Sequence, residues 1–296
     1  MHMARRTFIR ATAAGPAVAA AGTASAMTVP DPPRKAVLRM SCQENVAPGN
    51  TLAEKLDFIE KHGYVGLEPG GGNLPARVNE LQNALKNRPI KISAICAGFK
   101  GVIISDQADV RKQAMDSMKE ILTAAGAVGS TGLIIVPAFN GQTRLANHEA
   151  RPMLIDLLKE LGEHAVNVKS RILLEPLNRK EAFFLRQVAD AAAICRDVAS
   201  PGICCMGDFW HMTWEETSDM GAILSAGSYL HHMHIASRKN RKMHGEDPGD
   251  NYVDGFRALK MIGYQDFVSL ECGSVGDKTV TIPAAAKLMR EQWAKA

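Results

Sequence analysis

Eight times after Val37 a short apolar run gives way to a longer stretch with helical spacing, and no other feature constrains the fold of this chain so strongly. Such alternation argues for parallel βα units, because parallel strands need a crossover and a helix is the usual one. Strands are expected near Val37–Cys42, Tyr64–Glu68, Lys91–Cys96, Gly132–Val136, Arg171–Glu175, Ile203–Asp208, Leu230–Ala236 and Phe267–Glu271. Helical spacing covers Thr51–His62, Leu74–Asn87, Asp106–Val128, Glu149–Val168, Arg186–Val198, Thr213–Ala226, Tyr252–Ile262 and Thr279–Trp293. Thr51 stands three residues before Glu54, and Thr213 three before Glu216, which predicts a capping box at both helix starts. Gly63 and Gly263 each precede a tyrosine that opens a strand, the position of a C′ glycine. Eight units in about 250 residues fit a closed (β/α)₈ barrel of one domain. An open doubly wound sheet would more often carry a Gly-rich phosphate turn after its first strand. Gly70-Gly71-Gly72 follows the second strand without the G-x-G-x-x-G spacing and reads as a flexible mouth loop.

The first 26 residues are of another kind. Arg5 and Arg6 precede an uncharged Ala/Gly/Thr run that ends at Ala24-Ser25-Ala26, a small-residue cleavage site. This resembles a twin-arginine export signal, too weakly apolar for a permanent membrane anchor. The expected layout is therefore a signal over 1–26, a Pro-rich lead over 27–36 and the barrel over 37–296, in a periplasmic or otherwise exported protein that engages the twin-arginine machinery as a precursor. Loss of the signal removes three arginines and no acid, leaving 32 basic against 31 acidic residues, a charge of +1 in place of +4. A near-neutral chain without a basic stripe gives no electrostatic case for nucleic acid or anionic lipid. Of the six cysteines, five lie in or beside strand-like runs and no Cys-x-x-Cys occurs, so buried free thiols are expected. Cys204 and Cys205, neighbours on a strand, should point to opposite faces.

In a (β/α)₈ barrel the chemistry stands at the C-terminal ends of the strands. Four predicted strands end in a ligand-type residue: Glu175 after Leu173-Leu174, Asp208 after the run from Cys204, His234 after the run from Leu230, and Glu271 after the run from Phe267. Five of the nine histidines fall between 211 and 244. A single strand-end Glu or His is more often a capped or solvated group than a ligand; four together form a candidate cluster. Two glutamates, an aspartate and a histidine make a mostly oxygen site, suited to Mn²⁺, Mg²⁺ or Co²⁺, with Zn²⁺ also compatible.

These residues carry a family resemblance. Leu174-Glu175-Pro176-Leu177-Asn178-Arg179, Gly207-Asp208-Phe209-Trp210-His211-Met212, His232-Met233-His234-Ile235, and Gly263-Tyr264 followed by Ser269-Leu270-Glu271 together resemble the sugar isomerase/epimerase superfamily of xylose-isomerase-like TIM barrels. Ketose 3-epimerases and hydroxypyruvate isomerases are the nearest branches. The resemblance implies one divalent cation, most often Mn²⁺, held by Glu175, Asp208, His234 and Glu271. It also implies catalytic roles for Glu175 and Glu271 as base and acid on opposite faces of an enediolate, and substrate contacts from Glu181 and His211. The substrate-contacting arginine of the family corresponds to Arg241 or Arg238. Lys239-Asn240-Arg241 matches the polar-Asn-Arg turn better, so Arg241 is preferred. The long segment from Arg238 to Asn251 reads equally well as a lid or as a solvated loop.

The leading expectation is thus a metal-dependent isomerase or epimerase of a small carbohydrate. Export points to an unphosphorylated keto-sugar or small hydroxy-keto acid, since phosphorylated sugars are cytoplasmic metabolites. A lyase or deglycosidase acting on 3-keto-glycosides would use the same proton abstraction, and a non-catalytic periplasmic sugar-binding barrel would keep the ligands without turnover. A homo-oligomer is compatible with the sequence but not implied by it.

Overall fold

A computed structural model describes residues 35–296; the segment 1–26 and most of the Pro-rich lead lie outside the described residues. From Arg39 the chain forms a nearly closed parallel barrel wrapped by helices. Its strands are β1 (Arg39–Gln43), β2 (Gly66–Glu68), β3 (Lys91–Ile92), β4 (Ile95–Cys96), β5 (Leu133–Ile135), β6 (Ile172–Leu174), β7 (Ile203–Asp208), β8 (Leu230–Ile235) and β9 (Phe267–Leu270). They are ordered β3-β2-β1-β9-β8-β7-β6-β5-β4. The two ends of that order, β3 and β4, are halves of the one strand expected over Lys91–Cys96. Ser93 and Ala94 interrupt it: the Ser93 amide still donates to Leu67 O (2.9 Å), whereas the Ile95 amide turns to Gly132 O (2.8 Å). The ring therefore closes through one broken strand, giving nine segments at eight barrel positions. The Ser93 hydroxyl meets Ser41 Oγ at 2.6 Å and Leu67 O at 3.3 Å at that break.

The helices are α1 (Leu52–Lys61), α2 (Leu74–Leu85), α3 (Ala108–Ala127), α4 (Asn147–Asn167), α5 (Val188–Val198), α6 (Phe209–Glu215), α7 (Asp219–Ala226), α8 (Val253–Met261) and α9 (Lys278–Lys295). Thr51 and Glu54 form the expected capping box at α1. That helix buries Leu56 and Ile59 completely, each worth about 1.5–3 kcal/mol relative to exposure. Gly63 and Gly263 end α1 and α8 with φ of 80° and 67°, a conformation in which a Cβ is costly. The second predicted capping box is absent. Thr213 lies inside α6, where its hydroxyl donates to Phe209 O (2.8 Å), and Glu216 accepts from the Val188 amide (2.8 Å). The helix expected over Thr213–Ala226 is instead two helices. Asp208 caps the first through Trp210 N (2.8 Å) and Ser218 caps the second through Gly221 N (3.2 Å). Among the described residues no helix is long and apolar enough to cross a membrane.

Alternation along the strands sorts side chains between the barrel lumen and the sheet–helix interface. Ala94, Ile134, Leu173, Cys204 and Met206 form a separate apolar cluster in the lumen, whereas Cys205 joins the large outer core, so the two adjacent cysteines do point apart. All six cysteines are free. The opposite sector of the lumen is polar: Ser41, Ser93, His232 and Ser269 are fully buried. Barrel interiors are usually packed with branched apolar residues, so this sector marks the wall on which the site is built. Gly70-Gly71-Gly72 is a packed turn, not a flexible loop. The Gly71 amide donates to Cys96 O (3.2 Å), and a Cβ on Gly71 would lie 2.0 Å from Ala97 O.

Candidate metal and substrate site

The strand order places β6, β7, β8 and β9 side by side, so the residues ending them come in succession around one arc of the barrel mouth. Asp208 and His234 are directly paired across β7 and β8. Glu175 and Glu271 stand one residue beyond β6 and β9 and continue the ladder through their amides, to Ile135 O (3.0 Å) and Ile235 O (3.3 Å). One potential ligand atom from each of Glu175, Asp208, His234 and Glu271 lies within 4.8 Å of the others.

His234 is the hub. Its Nδ1 lies 2.9 Å from Glu271 Oε2 and 3.5 Å from Glu175 Oε1. Burial alone would depress the His234 imidazole, but the carboxylates of Glu271, Glu68 and Glu175 outweigh it and hold the ring well above the ordinary histidine value. Burial and the neighbouring Glu271 charge push the Glu175 carboxyl up. Glu271 goes the other way: burial would raise it, yet His234 and Arg241 bring it down to about 2. Such concentrated negative charge calls for a cation. His234 Nδ1 and Glu175 Oε1 are buried without a hydrogen-bond partner, both in the cluster. Buried polar atoms are rarely left so, and three carboxylates with one imidazole suit a hard or borderline divalent ion. The residues present fit the expected cation.

The three candidate substrate-contacting residues surround this cluster. His211, on the first turns of α6, accepts hydrogen bonds at Nδ1 from Asn178 N (3.1 Å) and Asn178 Nδ2 (2.9 Å). A backbone amide can only donate, so the proton of the neutral ring is on Nε2, which lies 3.6 Å from Asp208 Oδ2. Glu181 accepts from Asn178 Nδ2 (3.0 Å), which joins it to His211 through one side chain. Arg241 reaches Glu271 Oε2 (2.7 Å) and Asp208 Oδ2 (3.4 Å), with its guanidinium 4.6 Å from the centre of the Trp210 ring. It does so from a left-handed backbone, φ 52°, a costly state for a residue with a Cβ and one that gathers at functional sites. Arg238 points elsewhere, to Asp219, Thr213 Oγ1 (2.9 Å) and Asn251 O (2.9 Å).

The segment from Arg238 to Asn251 is stitched to the barrel rather than free in solvent. Asp247 accepts from the amides of Lys239 (3.0 Å) and Asn240 (2.9 Å), and Glu246 accepts from those of Val275 (3.0 Å) and Gly276 (2.9 Å). His244 is buried against Tyr252, and burial beside Arg238 lowers it to about 3. Of the five clustered histidines, His211, His232 and His234 are at the site; His244 and His231, which pairs with Asp266 (2.8 Å), are not.

Two residues at the site were not expected from the sequence. Glu68 ends β2 and accepts hydrogen bonds from His232 Nε2 (2.8 Å) and His234 Nε2 (2.9 Å). Gln43 ends β1 and donates to both Glu68 Oε1 (2.8 Å) and Glu271 Oε1 (3.1 Å). A signal for Glu68 exists, because Leu67-Glu68-Pro69 repeats the Leu174-Glu175-Pro176 triplet. None marks Gln43.

Comparisons with known proteins show what the chain is similar to. A family model described as “Xylose isomerase-like TIM barrel” matches residues 56–292. The 3-dehydro-D-guloside 4-epimerase of Escherichia coli K12 is 28% identical over 235 residues, 76% of this chain and 87% of the relative. A D-psicose 3-epimerase of Ruminiclostridium cellulolyticum is 32% identical over 117 residues, 40% of this chain and 39% of that enzyme. The crystal structure of an apo 3-keto-D-glucoside 4-epimerase from E. coli superposes with a TM-score of 0.78 at 24% identity, over 87% of this chain and 100% of that one.

Proposed function

Because the chain belongs to the xylose isomerase-like TIM barrel family and is an enzyme of the sugar isomerase/epimerase kind, we propose that it epimerises an unphosphorylated keto-sugar by proton transfer between Glu175 and Glu271. One observation carries the reading. These two glutamates come from strands separated by β7 and β8, yet their carboxylates converge on His234 Nδ1, at 3.5 and 2.9 Å. A stereocentre is inverted when one group removes the proton α to a carbonyl and another returns a proton to the opposite face, and two converging carboxylates supply the pair.

A divalent cation held by Glu175, Asp208, His234 and Glu271, with Mn²⁺ our choice, would offset the negative charge that develops on the substrate carbonyl. The chain does the rest. Glu175 would hold the cation through one oxygen and take or give a proton at the other. Glu271 is kept ionised by Arg241 and oriented by Gln43. The Nε2–H of His211 is a donor for a substrate oxygen, and Arg241 adds positive charge on the same side.

Among keto-sugars we favour a 3-keto-glycoside over a free ketose. The guloside epimerase aligns over most of its own length, the psicose epimerase over less than half. A cleft of about 360 Å³ also opens beside the cluster, lined by Gln43, Glu44, Asn45, Lys55 and Arg77, with room for the remainder of a glycoside. We further propose export through the twin-arginine route, on the strength of Arg5-Arg6 and Ala24-Ser25-Ala26. The test is NMR product analysis in D₂O with Mn²⁺, over a panel of 3-keto-glycosides and free ketoses. Epimer carrying deuterium at the α carbon is expected; an elimination product, or no turnover on any member, would refute the epimerase reading.

A further inference from the structure

Glu68 is buried to 1% exposure on the far side of the cluster from β6 and β7, and proton transfer between Glu175 and Glu271 makes no use of it. An ionised carboxylate only accepts hydrogen bonds. Its Oε2 faces His232 Nε2 at 2.8 Å and its Oε1 faces His234 Nε2 at 2.9 Å, so both nitrogens must carry hydrogen. Once a cation replaces the Nδ1 proton the ring is neutral with that one hydrogen, and the Nδ1 lone pair of His234 faces the space between Glu175 and Glu271. Gln43 completes the arrangement: its single amide nitrogen donates to Glu68 Oε1 (2.8 Å) and to Glu271 Oε1 (3.1 Å). That turns Glu271 Oε2 toward His234 Nδ1 and Arg241.

We infer that Glu68 is the positioning residue that fixes His234 as the Nε2–H tautomer with Nδ1 free to bind the cation, and that Gln43 ties this setting to the orientation of Glu271. The inference rests on the functional reading of His234 as a ligand. The Glu68 oxygens are taken by His232, His234 and Gln43. Glu68 acts through the imidazole, by orienting the ring and strengthening it as a donor, an effect usually worth 10- to 100-fold in metal affinity. His232, on the other oxygen, keeps the carboxylate from rotating away from His234.

Glu68→Gln separates this role from simple packing. The glutamine carbonyl can serve His234 and Gln43 as Oε1 does now, but its NH₂ then meets the Nε2–H of His232, donor against donor. One of the two histidines must change tautomer. The experiment is Mn²⁺ titration by calorimetry on chelator-stripped wild-type and E68Q protein, with long-range ¹H–¹⁵N histidine spectra recorded without metal and with diamagnetic Zn²⁺. We expect Mn²⁺ affinity in E68Q to fall about 10- to 100-fold, because the neutral amide no longer strengthens His234 as a donor even where its carbonyl still holds Nε2–H, with one histidine switched to Nδ1–H. Unchanged Mn²⁺ affinity in folded E68Q overturns the inference, whatever the tautomers. If E68Q does not fold, E68D, which keeps the charge but is too short to span both rings, is held to the same affinity criterion. Wild-type protein that binds no Mn²⁺ would sink the functional reading instead, and the histidine tautomers in E68Q then decide the part played by Glu68.

Discussion

Replacing each glutamate of the acid/base pair by glutamine should give two variants that are equally slow but unequally stable. Glu271 accepts from Gln43 at Oε1 (3.1 Å) and from Arg241 at Oε2 (2.7 Å). A glutamine there must turn its NH₂ toward one of those donors and gives up its charge beside Arg241 and His234. Losing a charged partner at so buried a place costs about 2–4 kcal/mol. Glu175 Oε1 has no partner to lose, so Glu175→Gln should leave unfolding free energy within about 1 kcal/mol of wild type. For turnover the asymmetry disappears. Loss of a general acid or base costs about 10²- to 10⁴-fold, or about 2.7–5.4 kcal/mol of barrier. The assay is turnover at saturating Mn²⁺, so that weakened metal binding is not mistaken for lost proton transfer, together with wash-in of deuterium at the substrate α carbon. E175Q, which leaves Glu271 ionised, is expected to exchange the α proton while forming little epimer. Recovery of near-normal turnover by both variants with excess Mn²⁺ would refute the reasoning: the glutamates would be ligands only, and the proton would travel through another group such as His211 or Glu181.

Three further outcomes follow from other parts of the molecule. Gly71→Ala should lose roughly 1–3 kcal/mol in urea unfolding because its Cβ would meet Ala97 O at 2.0 Å, while Gly70→Ala, with nothing within 4 Å, should be near neutral; equal effects would show that the turn is loose after all. His231 is lowered by burial but raised more by its hydrogen bond to Asp266, to about 9. A folded-state value above the unfolded one of about 6.5 means that this stabilisation is complete below about pH 6.5 and disappears as the pH rises through about 9, a loss of roughly 1–3 kcal/mol. His231→Gln should flatten the thermal stability profile over that window, and a slope identical to wild type would remove the pair from the account. Arg5 and Arg6 changed together to Lys should hold the precursor in the cytoplasm by fractionation, since the twin-arginine receptor reads the pair as an address; undiminished periplasmic yield would point to another route.

What could be read from the sequence, and what could not, divides along one physical line. The alternation of strand and helix was legible because barrel strands are buried on both faces and most of them read as apolar runs, so a carboxylate or imidazole ending such a run stands out. Glu175, Asp208, His234 and Glu271 were visible for that reason, and their convergence followed once the strands were placed in order. Local hydrogen bonding was less legible. Thr213 and Glu216 have the spacing of a capping box, but Asp208 caps the helix five residues earlier, and the Thr213 hydroxyl is taken by the carbonyl of Phe209. The strand expected over Lys91–Cys96 breaks where its ladder passes from Leu67 on one neighbour to Gly132 on the other, which no apolar pattern reveals. Gln43 and Glu68 were missed for a third reason. Their partners lie 25 to 228 residues away along the chain; the Leu67-Glu68-Pro69 triplet marks Glu68 as a strand-end carboxylate but not which side chains it orients, and nothing local marks Gln43. The difference lies in the lumen: one sector is filled by Ile134, Leu173 and Met206, the other by serines, histidines and the Gln43–Glu68 pair. Arranging polar side chains in a dry barrel is costly unless each is hydrogen-bonded. Here those bonds end on the ring nitrogen of His234 and on an oxygen of Glu271, so the polar sector that weakens the core is the part of the fold that aims the site.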